Sequence, residues 1–165
     1  MLKTIKARRS IRKFKPDPVT KEQLDILLEA AMHAPSACNS RPWEFIAITK
    51  RETLDQIAAA FSNAHMCAAA PAAIVIVALP AAEKVEGFFA QDCGAAAQNI
   101  LLAAHEIGLG SCWCGIYPRE DKPQRLAAIL SVEDGKVPFC VIALGVADEA
   151  PEARGFFEAG KVRYV

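Results

Sequence analysis

The stretch KARRSIRKFK, residues 6–15, places six lysines and arginines within ten residues of a chain that carries no net charge. If this stretch is extended, Arg8, Ser10 and Arg12 share one face, because alternate side chains of a strand point the same way. Two guanidinium groups beside a hydroxyl supply donors that match phosphate oxygens. The stretch therefore predicts a phosphate site, and the alternative is a run of solvated charge. The opposite face would carry Arg9, Ile11 and Lys13.

A second cationic pair stands near the end of the sequence, where GKVRYV places Lys161 and Arg163 two residues apart. If the tail is extended, both side chains lie on one face. A cationic tail by itself usually indicates only a solvated segment. Two such clusters in a neutral protein can, however, converge on one dianion, so the pair is a candidate second contact to the same phosphate.

The loop PSACNSRPW, residues 35–43, combines small residues with an asparagine directly after a predicted helix. The Asn39 amide offers both a donor and an acceptor, which suits the edge of a heterocyclic ring. The simpler alternative is an ordinary connection between a helix and a strand. Taken alone, the loop is compatible with both interpretations.

Several familiar site motifs are missing or incomplete in the sequence. GLGSCW, residues 108–113, has Trp113 where the dinucleotide fingerprint needs its third glycine, and it follows a predicted helix rather than a strand. Neither a Walker sequence nor the G-x-S-x-G elbow of serine hydrolases occurs. Cys112 and Cys114 supply at most two zinc ligands, so we expect no metal site. The histidines are scattered and have no evident catalytic partner: His33, His65 and His105.

The composition is that of one globular domain. With 165 residues, of which 53% are hydrophobic, the chain suits a single domain over residues 1–165. The 19 lysines and arginines balance 19 aspartates and glutamates, which argues against nucleic acid or an anionic membrane as a partner. The first residues show no signal-peptide pattern, so we expect the six cysteines to be free thiols in the cytoplasm.

Hydrophobic periodicity and turn residues divide the chain into helices and strands. Thr20 and Gln23 have the spacing of a capping box. Helices and strands do not alternate as strict βαβ units, so we expect an α+β layer fold. The tail, residues 148–165, has no globular pattern and must lie on another surface. The predicted helices are 3–8, 20–33, 51–61, 86–107 and 119–130, and the predicted strands are 43–49, 72–79, 110–116 and 138–147.

The longest predicted helix, residues 86–107, is apolar on nearly all sides. Its polar residues repeat every seven positions and form a narrow stripe. A helix with so little polar surface is buried on most sides, either in the core or at the centre of a dimer interface. The stripe consists of Gln91, Gln98 and His105 with their neighbours Asp92, Asn99 and Glu106.

Taken in order along the chain, these segments resemble the nitroreductase family of flavoproteins. The matching pieces are RRSIRKF, APSACNSRPWEF, AAAQNILLAAHEIGLGSCW and RGFFEAGKVRY, which together span almost the entire sequence. The resemblance implies an α+β fold with a central mixed β-sheet flanked by helices. It also implies an intertwined homodimer with FMN at the subunit interface, in which the tail of each chain adds to the sheet of its partner.

The resemblance assigns parts of the FMN site to residues of this sequence. It implies that Arg8 and Ser10 hold the phosphate and ribityl chain, and that Arg12 lies near the N1 and C2-carbonyl edge of the ring. Lys161 and Arg163 match the phosphate cations of the tail. The other cofactor-binding residues are Arg9 in the first segment, Pro35, Ser36, Ala37 and Asn39 in a loop from the other subunit, and Trp113, Cys114 and Gly115, where a backbone N–H faces N5.

The chemistry implied by the resemblance is that of the flavin. NADH or NADPH delivers a hydride to N5, and an acceptor such as a nitroaromatic or a quinone is then reduced in the same place, in a ping-pong cycle. We expect no side chain to act as a catalytic acid or base. A cation beside N1 stabilises the reduced ring and raises its potential.

Two departures from the family pattern leave the substrate open. Arg41 stands where the family often has glutamine, and we expect its side chain to lie in solvent rather than to select an acidic substrate. The long insertions that often shape the substrate pocket are missing. The CWC thiols are expected to be packing residues rather than redox groups.

Other functions also remain open on the sequence alone. A specialised family member, such as a reductive dehalogenase, would share the cofactor but not the acceptor. A flavin-storing or flavin-sensing protein would bind FMN without turnover, and an interaction protein with a cationic patch would bind no flavin.

Overall fold

The computed structural model describes residues 2–119 and 121–165. The helices are α1 (Leu2–Ala7), α2 (Lys21–Met32), α3 (Arg51–Ala60), α4 (Phe89–Glu106) and α5 (Lys122–Leu130). The strands are β1 (Trp43–Ile48), β2 (Ala72–Ala78), β3 (Gly110–Gly115) and β4 (Val137–Gly145). Each predicted helix and strand is confirmed with small shifts at its ends, although residue 120 of the last predicted helix lies outside the described residues.

The strands form one sheet in the order β1-β2-β4-β3. Neighbouring strands pair antiparallel, so the sheet of the single chain differs from the expected mixed sheet. Parallel pairing within the described residues is confined to a bridge between Ser10 and Ser111. The N-terminal segment makes only isolated bridges to the sheet and forms no strand of its own. After Ser10, the next bridge is antiparallel and joins Phe14 to Ala147.

Helices cover both faces of the sheet, which confirms the α+β class. Along β2, Ile74 and Ile76 point into a core shared with α2 and α4, whereas Val75 and Val77 point into a second core with α3 and α5. This is why the central strands are uninterrupted apolar runs rather than alternating ones. Burying one such aliphatic side chain contributes roughly 1.5–3 kcal/mol. A 3₁₀ segment that the sequence analysis did not predict, Ser62–Ala68, completes the second face.

Local side-chain contacts explain where α2 and α4 begin. The predicted capping box of α2 is confirmed, because the Thr20 hydroxyl accepts from the Gln23 N–H and the Gln23 side chain accepts from the Thr20 N–H. α4 begins at Phe89 rather than at residue 86. The Glu83 carboxylate accepts hydrogen bonds from the N–H groups of Gly87 and Phe89, both at 3.0 Å, and so holds the preceding turn.

The tail leaves the body of the chain after Pro151. Its large apolar side chains are exposed to solvent, with Phe156 at 82% and Phe157 at 75% of full exposure. β1 forms one edge of the sheet, because it pairs only with β2 among the described strands, whereas the other edge, β3, is bridged by Ser10. Beside the β1 edge lies a groove of about 490 Å³. Its lining is Leu28, Met32, Arg41, Trp43, Glu44, Phe45 and Ile46.

Candidate functional site

The first cationic segment lines a cavity of about 270 Å³ beside the end of α4. Arg8 and Arg9 form one wall, and His105 and the turn from Gly108 to Ser111 form the other. No ion pair joins either guanidinium to a carboxylate within residues 2–119 and 121–165. The cavity therefore presents two guanidinium groups that form no ion pair among the described residues, with the Glu149 carboxylate also in its lining.

Arg8 and Arg9 reach the same cavity although a fully extended segment would separate them. The reason is that Arg8 still belongs to the last turn of α1, where its N–H donates to the Thr4 carbonyl at 2.9 Å. Extended pairing begins only at Ser10, which bridges Ser111, and the next N–H, of Ile11, donates to the Ser111 carbonyl at 2.9 Å. The expected alternation of faces is thus wrong for the first two arginines.

Arg12 follows on the exposed side of this segment, and its backbone is fixed by Glu149. One carboxylate oxygen of Glu149 accepts from the N–H of Arg12 and, at 3.1 Å, from the N–H of Lys13. These backbone hydrogen bonds, led by that of Arg12, hold the pKa of Glu149 below its usual value. The Arg12 side chain is left exposed beside the cavity wall.

The loop between α2 and β1 holds an unusual backbone. Cys38, Asn39 and Arg41 all have positive φ, at 52°, 52° and 50°. Side chains with a Cβ avoid this left-handed region, and such strain is concentrated at functional sites. Within the loop, the Ser36 hydroxyl accepts from the Arg41 N–H at 2.9 Å. The Lys84 ammonium group donates to the Cys38 carbonyl at 3.1 Å.

α4 fixes this loop through two consecutive residues. The Asp92 carboxylate accepts from the Ala37 N–H at 3.0 Å, and the Cys93 thiol lies 3.9 Å from the Pro42 carbonyl. Asp92 is only 6% exposed, and its second oxygen, Oδ2, is buried without a partner among the described residues. The sequence places Asp92 only in a polar stripe of the predicted helix and does not predict this contact. The available signal was a carboxylate in the first turns of an otherwise apolar helix.

The third predicted segment lies on β3. Trp113 is half-buried against α4, with its ring 6.0 Å from that of Phe139, whereas Cys114 is buried on the opposite face. Gly115 is exposed, and a Cβ placed on it would meet nothing within 4 Å. The end of β3 is thus open to a ligand that approaches the backbone closely.

The thiols of this region are packed rather than exposed. Cys114 contacts the Met66 sulfur at 3.4 Å. A hydrogen bond with Cys112 and burial raise the pKa of the Cys114 thiol, and the same hydrogen bond lowers that of Cys112. Burial raises the pKa of Cys67 to about 12 and that of Cys93 to about 12. Of the six free cysteines, Cys38 is exposed.

The structure brings some predicted residues together and leaves others apart. Ser10 pairs with Ser111 on β3, so the first segment lies beside the strand that carries Trp113 and Gly115. The tail cations are not joined to this group by any hydrogen bond or ion pair of the described residues. Lys161 instead pairs with Glu158 at 2.7 Å within the tail. The two cationic clusters, which were predicted to converge on one dianion, therefore do not meet within the described residues of a single chain.

Two further observations concern metal ions and membranes. Within the described residues, no cluster of three or more histidine, cysteine, aspartate or glutamate side chains has a geometry that could hold a metal ion. None of the helices described here is both long enough and apolar enough to cross a membrane.

Comparison with known proteins identifies the relatives of this chain. The model of the nitroreductase family matches residues 5–146. A protein of Methanothermobacter thermautotrophicus, provisionally named an NADH dehydrogenase/NAD(P)H nitroreductase, is 43% identical over 98% of this chain and 85% of its own length. A protein of Archaeoglobus fulgidus with the same provisional name is 42% identical over 96% of this chain and 90% of its own length.

Solved structures resemble the fold over nearly the whole chain. The FMN-dependent nitroreductase of Clostridium difficile R20291 has a TM-score of 0.91 and 35% identity, with 99% of this chain and 98% of that chain covered. A protein of Desulfovibrio desulfuricans, provisionally named a nitroreductase and crystallised in complex with FMN, has a TM-score of 0.89 and 30% identity, with 99% and 95% covered.

Proposed function

The chain belongs to the nitroreductase family, and we propose that it is an oxidoreductase that uses FMN to pass electrons from NADH or NADPH to small-molecule acceptors such as nitroaromatics or quinones. The observation that carries this proposal is the cavity lined by Arg8 and Arg9. It lies beside β3, where the segment that resembles the first flavin-binding segment of the family pairs with Ser111.

The cationic cavity fits the phosphate of FMN. A phosphate dianion that is partly removed from water needs opposite charge and hydrogen-bond donors. Arg8 and Arg9 supply guanidinium groups without an ion-pair partner among the described residues, and Ser10, which follows them in sequence, supplies a hydroxyl. We assign Arg8 and Ser10 to the phosphate and ribityl chain, with Arg9 as a further cation. Lys161 and Arg163 are proposed to reach the phosphate from the tail.

The loop and the end of β3 fit the ring of the flavin. The buried side-chain oxygens that lack a hydrogen-bond partner among the described residues are Ser40 Oγ and Asp92 Oδ2, and both belong to the loop or its anchor. Buried polar atoms normally have partners, and we propose that another molecule or chain completes this region. The ring is proposed to lie near Arg12 and the segment Trp113, Cys114 and Gly115, with Pro35, Ser36, Ala37 and Asn39 donated by a second subunit.

A homodimer is proposed because the single chain leaves matching surfaces uncovered. The edge of β1 presents unpaired backbone groups beside an apolar groove, and such edges are normally covered. The tail carries Phe156 and Phe157, whose side chains are largely exposed in their own chain. A tail that crosses to the partner and adds to the sheet would cover both surfaces.

FMN supplies the redox chemistry when bound, because it accepts a hydride from a nicotinamide and returns two electrons to an acceptor. The residues of this chain bind and orient it. Arg12 is proposed to place a positive charge at the edge where the reduced ring gains negative charge, which raises the potential. No acid or base side chain is assigned, and donor and acceptor are proposed to use one place in ping-pong order. The six free thiols support a reducing compartment, and we propose the cytoplasm.

The experiment that tests this function is a visible absorption spectrum of the purified protein, loaded with FMN and repeated anaerobically after addition of NADH and then NADPH. Bleaching of the flavin bands, followed by recovery on addition of menadione or a nitroaromatic, is the expected result. A bound flavin that neither nucleotide bleaches would instead favour storage or sensing. A protein that binds no FMN would overturn the flavoprotein assignment.

A further inference from the structure

We propose that Arg41 determines specificity, by holding Asn39 as a hydrogen-bond donor and by binding an anionic group on the small molecule that enters the site. This inference deepens the proposed function and rests on it, since it assumes that the loop of residues 35–42 borders the FMN site. The Arg41 side chain is exposed, as the sequence predicts, and the inference assigns a ligand to this exposed side chain.

The orientation of the Asn39 amide follows from the chemistry of its neighbour. Arg41 Nε lies 3.0 Å from Asn39 Oδ1. A guanidinium nitrogen can only donate, so the amide atom that faces it must be the oxygen. The Asn39 NH₂ group is therefore directed away from Arg41 and remains available as a donor.

The same reasoning applies to the other polar groups of the loop. The Ser36 oxygen already accepts the Arg41 N–H, so its own hydrogen is available to donate. The two terminal nitrogens of Arg41 have no acceptor and no carboxylate partner among the described residues. The loop thus presents hydrogen-bond donors, and Lys84 at the Cys38 carbonyl adds a second cation. Such a surface is complementary to oxygen-rich, negatively charged groups.

The backbone supports a functional role for this side chain. Arg41 has a φ of 50°, where a residue with a Cβ is strained, and its backbone N–H is fixed by Ser36. This conformation aims the side chain back along the loop onto Asn39, two residues earlier. Strain of this kind persists only where the surrounding structure enforces it, and it is concentrated at ligand sites.

The ligand chemistry is a carboxylate or phosphate attached to a flat, reducible or reducing ring. The anionic group can belong to the acceptor itself, or it can be the 2′-phosphate that distinguishes NADPH from NADH. The measurement uses FMN-loaded protein and isothermal titration calorimetry with two matched pairs. The acceptor pair is 4-nitrobenzoate and the neutral 4-nitrobenzamide, and the nucleotide pair is NADP⁺ and NAD⁺.

The variants are Arg41→Gln and the control Lys50→Gln. Glutamine adopts positive φ no less readily than arginine, so the substitution removes the charge without new backbone strain. Lys50 is an exposed cation paired with Glu52 at the far end of β1, about 20 Å from the loop by the rise of a strand. Sedimentation velocity on each variant monitors the oligomeric state.

We expect wild-type protein to bind the anionic member of at least one pair more tightly, and Arg41→Gln to reduce that preference about tenfold, as loss of a charge-assisted hydrogen bond does. Lys50→Gln should leave it unchanged. The pair that responds identifies the source of the anion. Equal binding of anionic and neutral members by the wild type would overturn the proposal, as would an unchanged preference in Arg41→Gln. If the only effect of Arg41→Gln is a weaker dimer, the proposal is overturned, and the result would indicate that Arg41 contacts the tail of the partner.

The readout also separates this inference from the proposed function. Binding preference is measured at equilibrium and does not require turnover. If the flavin never bleaches with NADH or NADPH but Arg41 still selects the anion, the proposed electron transfer fails and the specificity role stands. If turnover is normal and the preference does not depend on Arg41, only the present inference fails.

Discussion

The Asp92 carboxylate of α4 accepts a hydrogen bond from the Ala37 N–H at 3.0 Å, across 55 residues of sequence, and so connects the longest helix to the strained loop before β1. The contact is partly buried, since Asp92 is 6% exposed and Ala37 is half-buried. A hydrogen bond to a charged group in such surroundings is stronger than a neutral one, and leaving either partner alone is costly. The loop geometry therefore depends on a residue that lies outside the loop.

Replacement of that carboxylate should loosen the loop. Asp92→Ala leaves the half-buried Ala37 N–H without its acceptor, and we expect a loss of about 1–2 kcal/mol in the free energy of unfolding, together with weaker FMN binding. Asp92→Asn keeps an acceptor oxygen and should retain most of both. Urea unfolding and fluorescence titration with FMN measure the two effects. Gln98→Ala, on the exposed side of α4, is the control, and equal behaviour of Asp92→Ala and Gln98→Ala would contradict the anchoring role.

Arg8 should matter more for the phosphate than for the ring. Arg8→Ala removes a guanidinium that has no ion-pair partner among the described residues, so the substitution should raise the Kd for FMN about tenfold and raise the Kd for riboflavin, which lacks the phosphate, much less. Fluorescence quenching of each flavin provides the comparison. Lys50→Ala removes the same charge elsewhere and should change neither value. A parallel loss of FMN and riboflavin affinity in Arg8→Ala would show that Arg8 maintains the fold instead.

Glu149 should support the cationic segment in a pH-dependent way. Its pKa lies below the usual 4.5 because the folded backbone stabilises the ionised form, so its contribution to stability is present above about pH 4.5 and is lost as the pH falls through the folded-state pKa. Glu149→Gln keeps an acceptor oxygen but not the charge. The wild type should be more stable than Glu149→Gln in urea at neutral pH, and the difference should vanish on acidification. A difference that persists in acid would point to a steric effect.

Thiol labelling should single out the loop. Cys38 is exposed, whereas the other five cysteines are buried, and burial raises the pKa of Cys67 and Cys93 to about 12, so those thiols stay protonated. Brief treatment of the native protein with iodoacetamide should add one group per chain by intact mass, and Cys38→Ser should add none. Bound FMN should slow the reaction if the loop borders the cofactor. Rapid modification of Cys112 or Cys114 would contradict their assignment as packing residues.

The tail should control assembly rather than the fold of the chain. Deletion of residues 152–165 removes exposed apolar side chains and the cations Lys161 and Arg163, while the sheet and both cores remain. We expect the truncated protein to sediment as a monomer, to keep its circular dichroism spectrum and to lose FMN. Phe156→Ser with Phe157→Ser should weaken the dimer in the same direction. A truncated chain that remains dimeric would show that the tail does not hold the subunits together.

The sequence by itself determined the elements and their order. The signals for these elements are local or nearly local: helix periodicity, the Thr20–Gln23 capping box and the apolar runs of β2 and β4. They predict the elements correctly because each element buries one recognisable set of side chains. The cationic N-terminal stretch is equally evident, because six positive charges within ten residues of a neutral chain are recognised without knowledge of tertiary contacts.

Only the tertiary structure decided how the site residues meet. The antiparallel order of the sheet, the joint exposure of Arg8 and Arg9 to one cavity and the anchoring of Ala37 by Asp92 all depend on contacts between distant parts of the chain. The orientation of Asn39 depends on a loop with three residues in the left-handed conformation, which asparagine adopts readily but Cys38 and Arg41 do not favour. Such features are set by packing, where a few hydrogen bonds between buried groups outweigh the preferences of the individual residues.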